Sequence, residues 1–184
     1  MNRKMEDNGL KPMKLRHLLV LLLFLPVLVS AETIGSSDLV ERNGLMYKKF
    51  TNTPFTGRTS GRLQTNYKDG KRHGPFEWYY KNGQLRGEET YKDGKLSGPS
   101  ESYHKNGQLL GKSTYKDGKF HGSTEWYYEN GQLKDKWTYK DGKKHGPFES
   151  YYENGQLQRK GTHKDGKLVG KTCFTETGKT TPCE

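Results

Sequence analysis

"YKDGKRHGPFEWYYKNGQL", Tyr67 to Leu85, decides how this chain folds, because the phrase returns. "YKDGK" recurs at Tyr91, Tyr115 and Tyr139, and "HKDGK" follows at His163. Aligned on the Asp-Gly pair, the copies run Tyr67 to Thr90, Tyr91 to Thr114, Tyr115 to Thr138 and Tyr139 to Thr162, each 24 residues with no insertion. A fixed period of this length marks an array of supersecondary units that lean on their neighbours. Each copy holds two turn signals, Asp69-Gly70 and Asn82-Gly83 in the first. Both dipeptides are favoured in two-residue hairpin loops, where both central residues take positive φ. The repeat therefore reads as two antiparallel strands, with the asparagines, Asn106 among them, expected at positive φ beside the aspartates.

The register can be tested on the charges. A two-residue loop at Asn82-Gly83 sets Tyr80 opposite Leu85, Trp78 opposite Gly87 and Glu77 opposite Glu88. Carried forward, the last pair becomes Glu101 with Lys112, Glu125 with Lys136 and Glu149 with Lys160, opposite charges worth a few tenths to ~1 kcal/mol across strands. The other turn, Asp93-Gly94, sets Tyr91 opposite Leu96 and Glu89 opposite Gly98. Alternation places Leu85, Leu109, Leu133 and Leu157 with Tyr67, Tyr91, Tyr115 and Tyr139 on one face, and Glu77, Tyr79 and Thr90 with their counterparts on the other. Neither face is dry, which suits an extended single-layer sheet better than a sandwich. The expected fold is all-β: an elongated single-layer antiparallel β-meander of 24-residue hairpin repeats, roughly 45 Å long for the array at ~4.8 Å per strand.

Composition agrees. Only 29% of the residues are hydrophobic, too few for a large core, yet 12% aromatics and 23 Gly are unlike a disordered tail. Ahead of the repeats, "MKLRHLLVLLLFLPVLVSAE" from Met13 has a basic start, an apolar run from Leu18 to Val29, and small residues at Val29 and Ala31. This is the layout of a secretory signal peptide over residues 1–31, cut before Glu32, with Met1 and Met13 both open as starts. The run is 12 residues long and interrupted by Pro26, short of the roughly 20 a membrane span needs. Removing five basic and two acidic residues with it lowers the formal charge from +11 to +8, so the mature chain stays basic. An exported protein of the periplasm or cell envelope follows. Cys173 and Cys183, the only cysteines, are expected to form one disulfide around "ETGK". Its expected role is to cap the array, adding ~2 to 3 kcal/mol by closing a short loop. The layout is then a short linker at 32–38, an entry hairpin at 39–66, four repeats at 67–162, and a partial repeat with its disulfide cap at 163–184.

No reaction is written in the chain. His73, His121 and His145 precede Gly in one repeat column, but a repeat's advance of ~10 Å is too wide for ligands that must each sit ~2 Å from one ion. His104 and His163 stand where other copies have Tyr, and Asp69, Asp93, Asp117, Asp141 and Asp165 read as turn formers. No carboxylate pair is singled out for acid and base work, and no Gly-rich phosphate loop opens a helix. No enzyme, cofactor or metal is called for. Two binding surfaces are. Tyr79, Tyr103, Tyr127 and Tyr151 with Trp78 and Trp126 offer the aromatic anchors favoured in protein contacts. Lys68, Lys92, Lys116 and Lys140 line one row of turns, either as a solvated edge that discourages aggregation or as a contact for anionic lipid or glycan. Basic and aromatic interleaving also suits single-stranded nucleic acid, which export disfavours.

The phrase from Tyr67 to Leu85 resembles the variant form of the MORN repeat, in which Tyr-x-[Asp/Asn]-Gly and a later Gly-x-x-x-[Trp/Tyr] recur at this period. "VERNGLMYKKFTNTPFTG", Val40 to Gly57, looks like the strand pair at the entry of such arrays. The resemblance covers Leu39 to about Gly170. It implies an elongated antiparallel sheet that binds rather than catalyses. Similar bacterial proteins are commonly labelled antitoxin components, so the resemblance implies an antitoxin or immunity-like role through contact with a protein partner such as a toxin; the alternative is a peripheral binder of anionic membrane lipid or envelope glycan.

Overall fold

The computed structural model describes residues 32–183. The signal segment and its cleavage site at Ala31 lie outside the described residues. Fifteen strands follow in chain order: β1 Glu32–Gly35, β2 Leu39–Arg42, β3 Leu45–Lys48, β4 Gly57–Ser60, β5 Leu63–Lys68, β6 Lys71–Tyr79, β7 Leu85–Lys92, β8 Lys95–Tyr103, β9 Leu109–Lys116, β10 Lys119–Tyr127, β11 Leu133–Lys140, β12 Lys143–Tyr151, β13 Leu157–Lys164, β14 Lys167–Phe174 and β15 Thr180–Thr181. All but β2 and β3 form one 13-stranded sheet in the order β1-β4-β5 and onward to β15. Every neighbouring pair in it is antiparallel except β1 with β4. The all-β meander of consecutive hairpins expected from the repeat is the fold.

The entry is more structured than the sequence suggested. Glu32–Gly35, expected as linker, pairs in parallel with Gly57–Ser60, because the intervening β2-β3 hairpin returns the chain to the sheet edge. Phe55 then seals the junction, 4% exposed, its N–H donating to the Met46 carbonyl and its carbonyl accepting from Gly70.

The two turns of the repeat differ, which corrects the register. At each Asp-Gly both residues have positive φ, 50° and 77° at Asp69 and Gly70, so these are the two-residue loops expected. At Asn82-Gly83 only the glycine does. Gly83 N–H donates to the Tyr80 carbonyl and Tyr80 N–H to the Gln84 carbonyl, so the loop is Lys81-Asn82-Gly83, a turn followed by a left-handed glycine at φ 87°. Asn106, like Asn82, is not at positive φ. The extra loop residue puts Leu85 opposite Tyr79 rather than Tyr80, and a bulge restores the expected Trp78–Gly87 and Glu77–Glu88 pairs. Glu101–Lys112, Glu125–Lys136 and Glu149–Lys160 are paired as read. Beyond Tyr91–Leu96 the ladder departs again, with Glu89 opposite Ser100 instead of Gly98. Gly98 at φ 116° bends the strand outward, so that Ser97, Gly98 and Pro99 oppose Thr90 alone.

Little apolar side chain is fully enclosed. Among the described residues Leu39, Phe55 and Phe148 are the buried hydrophobics, with Thr59, Thr65, Thr124 and Ser150 buried beside them. One face compensates with rings. Phe76 stacks on Trp78 at 5.3 Å, Phe120 sits between Tyr115 at 4.5 Å and Tyr139 at 5.1 Å, and Trp137 lies flat on Phe148 at 4.7 Å. Such pairs add about 0.5–1.5 kcal/mol each beyond area burial. Glycines make room for the tryptophans: a Cβ on Gly111 would meet the Trp126 ring at 2.6 Å. At the far end "ETGK" copies the Asn-Gly loop, with Gly178 N–H on the Thr175 carbonyl, and the expected disulfide joins Cys173 to Cys183.

Candidate functional site

The strand alternation that builds the sheet also divides the residues singled out for binding. Tyr79 and Trp78 are neighbours on β6 and so point to opposite faces. Tyr79, Tyr103, Tyr127 and Tyr151 share one face, and each hydroxyl donates to the glutamate two residues before it: Glu77 at 2.7 Å, Glu101 at 2.5 Å, Glu125 at 2.6 Å and Glu149 at 2.7 Å. These rungs are part of the fold's own polar lattice. Glu101's bond, burial and its charge push the Tyr103 hydroxyl up to about 12, and burial with Glu149's bond takes Tyr151 to about 12. Burial would raise Glu125, but hydrogen bonds from Tyr127, Lys112 and Lys136 overcome it and hold the carboxyl at about 2. Lys112 Nζ lies 2.9 Å and Lys136 Nζ 3.2 Å from its oxygens.

Trp78 and Trp126 occupy the other face, and Trp126 remains 42% exposed. Around it His104, Leu110, Tyr128, Glu129, Lys134, Asp135 and Glu153 enclose a cleft of about 540 Å³. Two repeats earlier the same positions line a cleft of about 620 Å³ with the charges changed. Arg62 stands for Leu110, Lys81 for Glu129, Arg86 for Lys134 and Lys105 for Glu153, while Tyr80 matches Tyr128.

The predicted lysines lie at the Asp-Gly edge, and the structure gives each a partner of its own sign. The ladder sets Lys68 opposite Lys71, Lys92 opposite Lys95, Lys116 opposite Lys119, Lys140 opposite Lys143 and Lys164 opposite Lys167. Like charges directly opposite destabilise a hairpin by a few tenths to ~1 kcal/mol. Each pair closes a turn whose glycine N–H donates backward along the array: Gly70 to the Phe55 carbonyl of the entry segment, then Gly94 to the Arg72 carbonyl, Gly118 to Leu96, Gly142 to Phe120 and Gly166 to Lys144 of the preceding repeats. The row is therefore fixed at one repeat, ~10 Å, per step.

The histidines of the same column meet those turns. His73 Nδ1 is 3.2 Å from Asp93 Oδ1 and His145 Nδ1 is 3.2 Å from Asp165 Oδ1, with His121 3.5 Å from Asp141. The sequence reading missed these contacts, although a constant offset of one repeat less four residues was there to be seen. His163 is different: burial and then the nearby charge of Lys144 push its imidazole below the ordinary 6.5. Among the described residues no group of His, Cys, Asp and Glu is arranged to hold a metal ion.

On the opposite edge, side chains do the stitching. Tyr80 Oη donates to the Tyr103 carbonyl at 2.8 Å, Tyr128 Oη to Tyr151 at 2.8 Å and Tyr152 Oη to Phe174 at 3.0 Å, while His104 Nε2 takes this place 3.2 Å from the Tyr127 carbonyl. The MORN repeat variant family matches the chain at residues 72–93, 96–117, 120–141 and 144–165, in step with these hairpins. The chain is a MORN repeat protein of the variant type. Repeats of this kind typically mediate binding, and the matched family says nothing of a toxin or antitoxin. No curated protein matches the chain. Among solved structures, a chain in the crystal structure of the GtfA/B complex bound to UDP and GlcNAc is similar at 15% identity with a TM-score of 0.21, over 65% of this MORN chain and 26% of that one. A likeness this slight carries no argument.

Proposed function

We propose that this MORN repeat protein is exported to the periplasm or cell envelope and works by binding, without catalysis, its lysine edge seated on an anionic surface. One observation carries the reading: every Asp-Gly turn holds two lysines face to face, at a cost to the hairpin, in a row with a regular step. An anionic membrane relieves that repulsion and contributes about 1 kcal/mol per lysine near the surface. Anionic glycan would offer the same chemistry. The Cys173–Cys183 disulfide supports an oxidising compartment.

Protein contact is the second reading, favoured by the exposure of Trp126 in its cleft. The tyrosine ladder supports it less, since its hydroxyls are already spent on glutamates. The antitoxin-like role implied by the sequence resemblance rests on that resemblance alone.

Flotation with anionic and with neutral phospholipid vesicles tests the first reading. Binding is expected only to the anionic vesicles, falling steeply as salt approaches about 0.15 M, where the Debye length is about 8 Å. Lys92→Gln, Lys116→Gln and Lys140→Gln together should abolish it. Equal binding to neutral vesicles, or an unaffected triple variant, contradicts it; capture by a soluble anionic glycan alone reassigns the surface from lipid to glycan.

A further inference from the structure

Opposite the lysine row, the other edge carries a pattern of sign. The first loop residue after the second Tyr or His of each repeat is Lys81, then Lys105, then Glu129, then Glu153, all four exposed. The row is held from behind. Besides the Tyr and His rungs, Asn106 Nδ2 donates to the Glu129 carbonyl at 2.9 Å and Asn130 Nδ2 to the Glu153 carbonyl at 3.0 Å. The clefts beside the loops follow the signs in net balance: Arg62 and Arg86 accompany Lys81 and Lys105, while Glu129 and Glu153 are joined by Asp135 against the one cation Lys134, with His104 beside Glu129.

Two positive loops followed by two negative ones, at one constant step, are self-complementary under a two-fold axis between the second and the third. We propose that this edge is the docking surface for a second copy of the chain, laid antiparallel. Lys81 of one copy then faces Glu153 of the other and Lys105 faces Glu129, and each pair occurs twice, as an isologous contact requires. Both copies share the step of ~10 Å, so all the pairs close in a single register. A slip by one repeat in one direction sets Glu129 against Glu129, and in the other Lys105 against Lys105. A parallel arrangement in register opposes like charges throughout, and a parallel stagger of two repeats pairs opposite charges over only half of the row without closing on a two-fold axis. The exposed Trp126 and the cleft around it, where Glu129, Asp135 and Glu153 outnumber Lys134, then meet the basic cleft of the other copy, and Arg and Lys there gain from the ring as well as from the carboxylates. The two lysine edges face outward. The inference names an occupant for the protein-contact reading and is independent of the lysine edge.

Sedimentation of the purified protein tests it. Wild type is expected to form a dimer at low salt whose dissociation constant weakens at least roughly tenfold by about 0.15 M salt. Lys81→Glu with Lys105→Glu makes the edge uniformly negative, and Glu129→Lys with Glu153→Lys makes it uniformly positive. Each double variant should sediment alone as a monomer, and an equimolar mixture should form the dimer again. The variant carrying all four changes reverses the pattern and keeps it self-complementary, so it should dimerise by itself, which also shows that the substitutions leave the fold intact. A monomeric wild type at low salt overturns the proposal, even where a foreign protein binds the Trp126 cleft and so sustains the contact reading. Double variants that dimerise as wild type does, or a mixture that stays monomeric, overturn it as well.

Discussion

The two edges of the ribbon are made from look-alike dipeptides, Asp-Gly and Asn-Gly, and behave differently. The Asp-Gly edge takes its geometry from backbone: both turn residues at positive φ, a glycine N–H on the preceding repeat, and two lysines closing each turn, with His73, His121 and His145 reaching the turn aspartates of the next repeat as an addition. The Asn-Gly edge has a longer loop, a bulge, and stitching by Tyr, His and Asn side chains. Where backbone sets the geometry, every copy carries the same charge. Where side chains set it, the loop's first residue is free to change sign, and it does, from Lys105 to Glu129. One edge presents a uniform field and the other a pattern.

The comparison breaks most sharply at the turn residues themselves. Gly118→Pro removes both the positive φ and the N–H bonded to the Leu96 carbonyl at 2.8 Å, and should cost about 3 kcal/mol or more in denaturant unfolding. Asn106→Ala keeps an ordinary φ and loses the side-chain bonds to the Glu129 carbonyl and from the Gln108 N–H, about 0.5–1.5 kcal/mol each, and should cost clearly less. Equal losses at the two sites would show that the edges are not built differently.

The strand middles offer a control between the edges. Glu125 is held at about 2 in the fold against an ordinary 4.5, so its contribution is complete above about 4.5 and is lost as the pH falls toward about 2. Wild type should therefore be more stable than Glu125→Gln at neutral pH, with the gap closing across that window in acid unfolding. A gap that stays constant would mean the Tyr127, Lys112 and Lys136 contacts do not hold the carboxylate.

The smallest effect belongs to the side-chain stitching. Tyr128→Phe deletes the hydroxyl's hydrogen bond to the Tyr151 carbonyl and keeps the ring, so about 0.5–1.5 kcal/mol should be lost. No measurable loss would leave the Asn-Gly edge held by its backbone.

The repeat was legible because its period and its Asp-Gly pairs are local signals, and charge opposition at Glu125 and Lys136 fixed the mid-strand register across long distance. The Asn-Gly loop was misread because Asn-Gly serves two loop lengths, and only the Gly83 and Tyr80 backbone bonds tell them apart. Strand Glu32–Gly35 was hidden for another reason: four residues pairing in parallel with Gly57–Ser60 leave no alternation or turn to read. Of the candidate site, the lysine row was legible as a row, and its face-to-face pairs follow from the two-residue loop that sets Tyr91 opposite Leu96. Splitting of Tyr79 from Trp78 follows from strand alternation and was available from the sequence.

Lysine acetylation footprinting, with and without anionic vesicles, tests the central claim most directly, because it reads both edges in one sample. Lys92, Lys95, Lys116, Lys119, Lys140 and Lys143 should be protected when vesicles are present, while Lys81 and Lys105 on the opposite edge keep their reactivity. Protection of Lys81 and Lys105 with the Asp-Gly lysines unchanged would contradict the account.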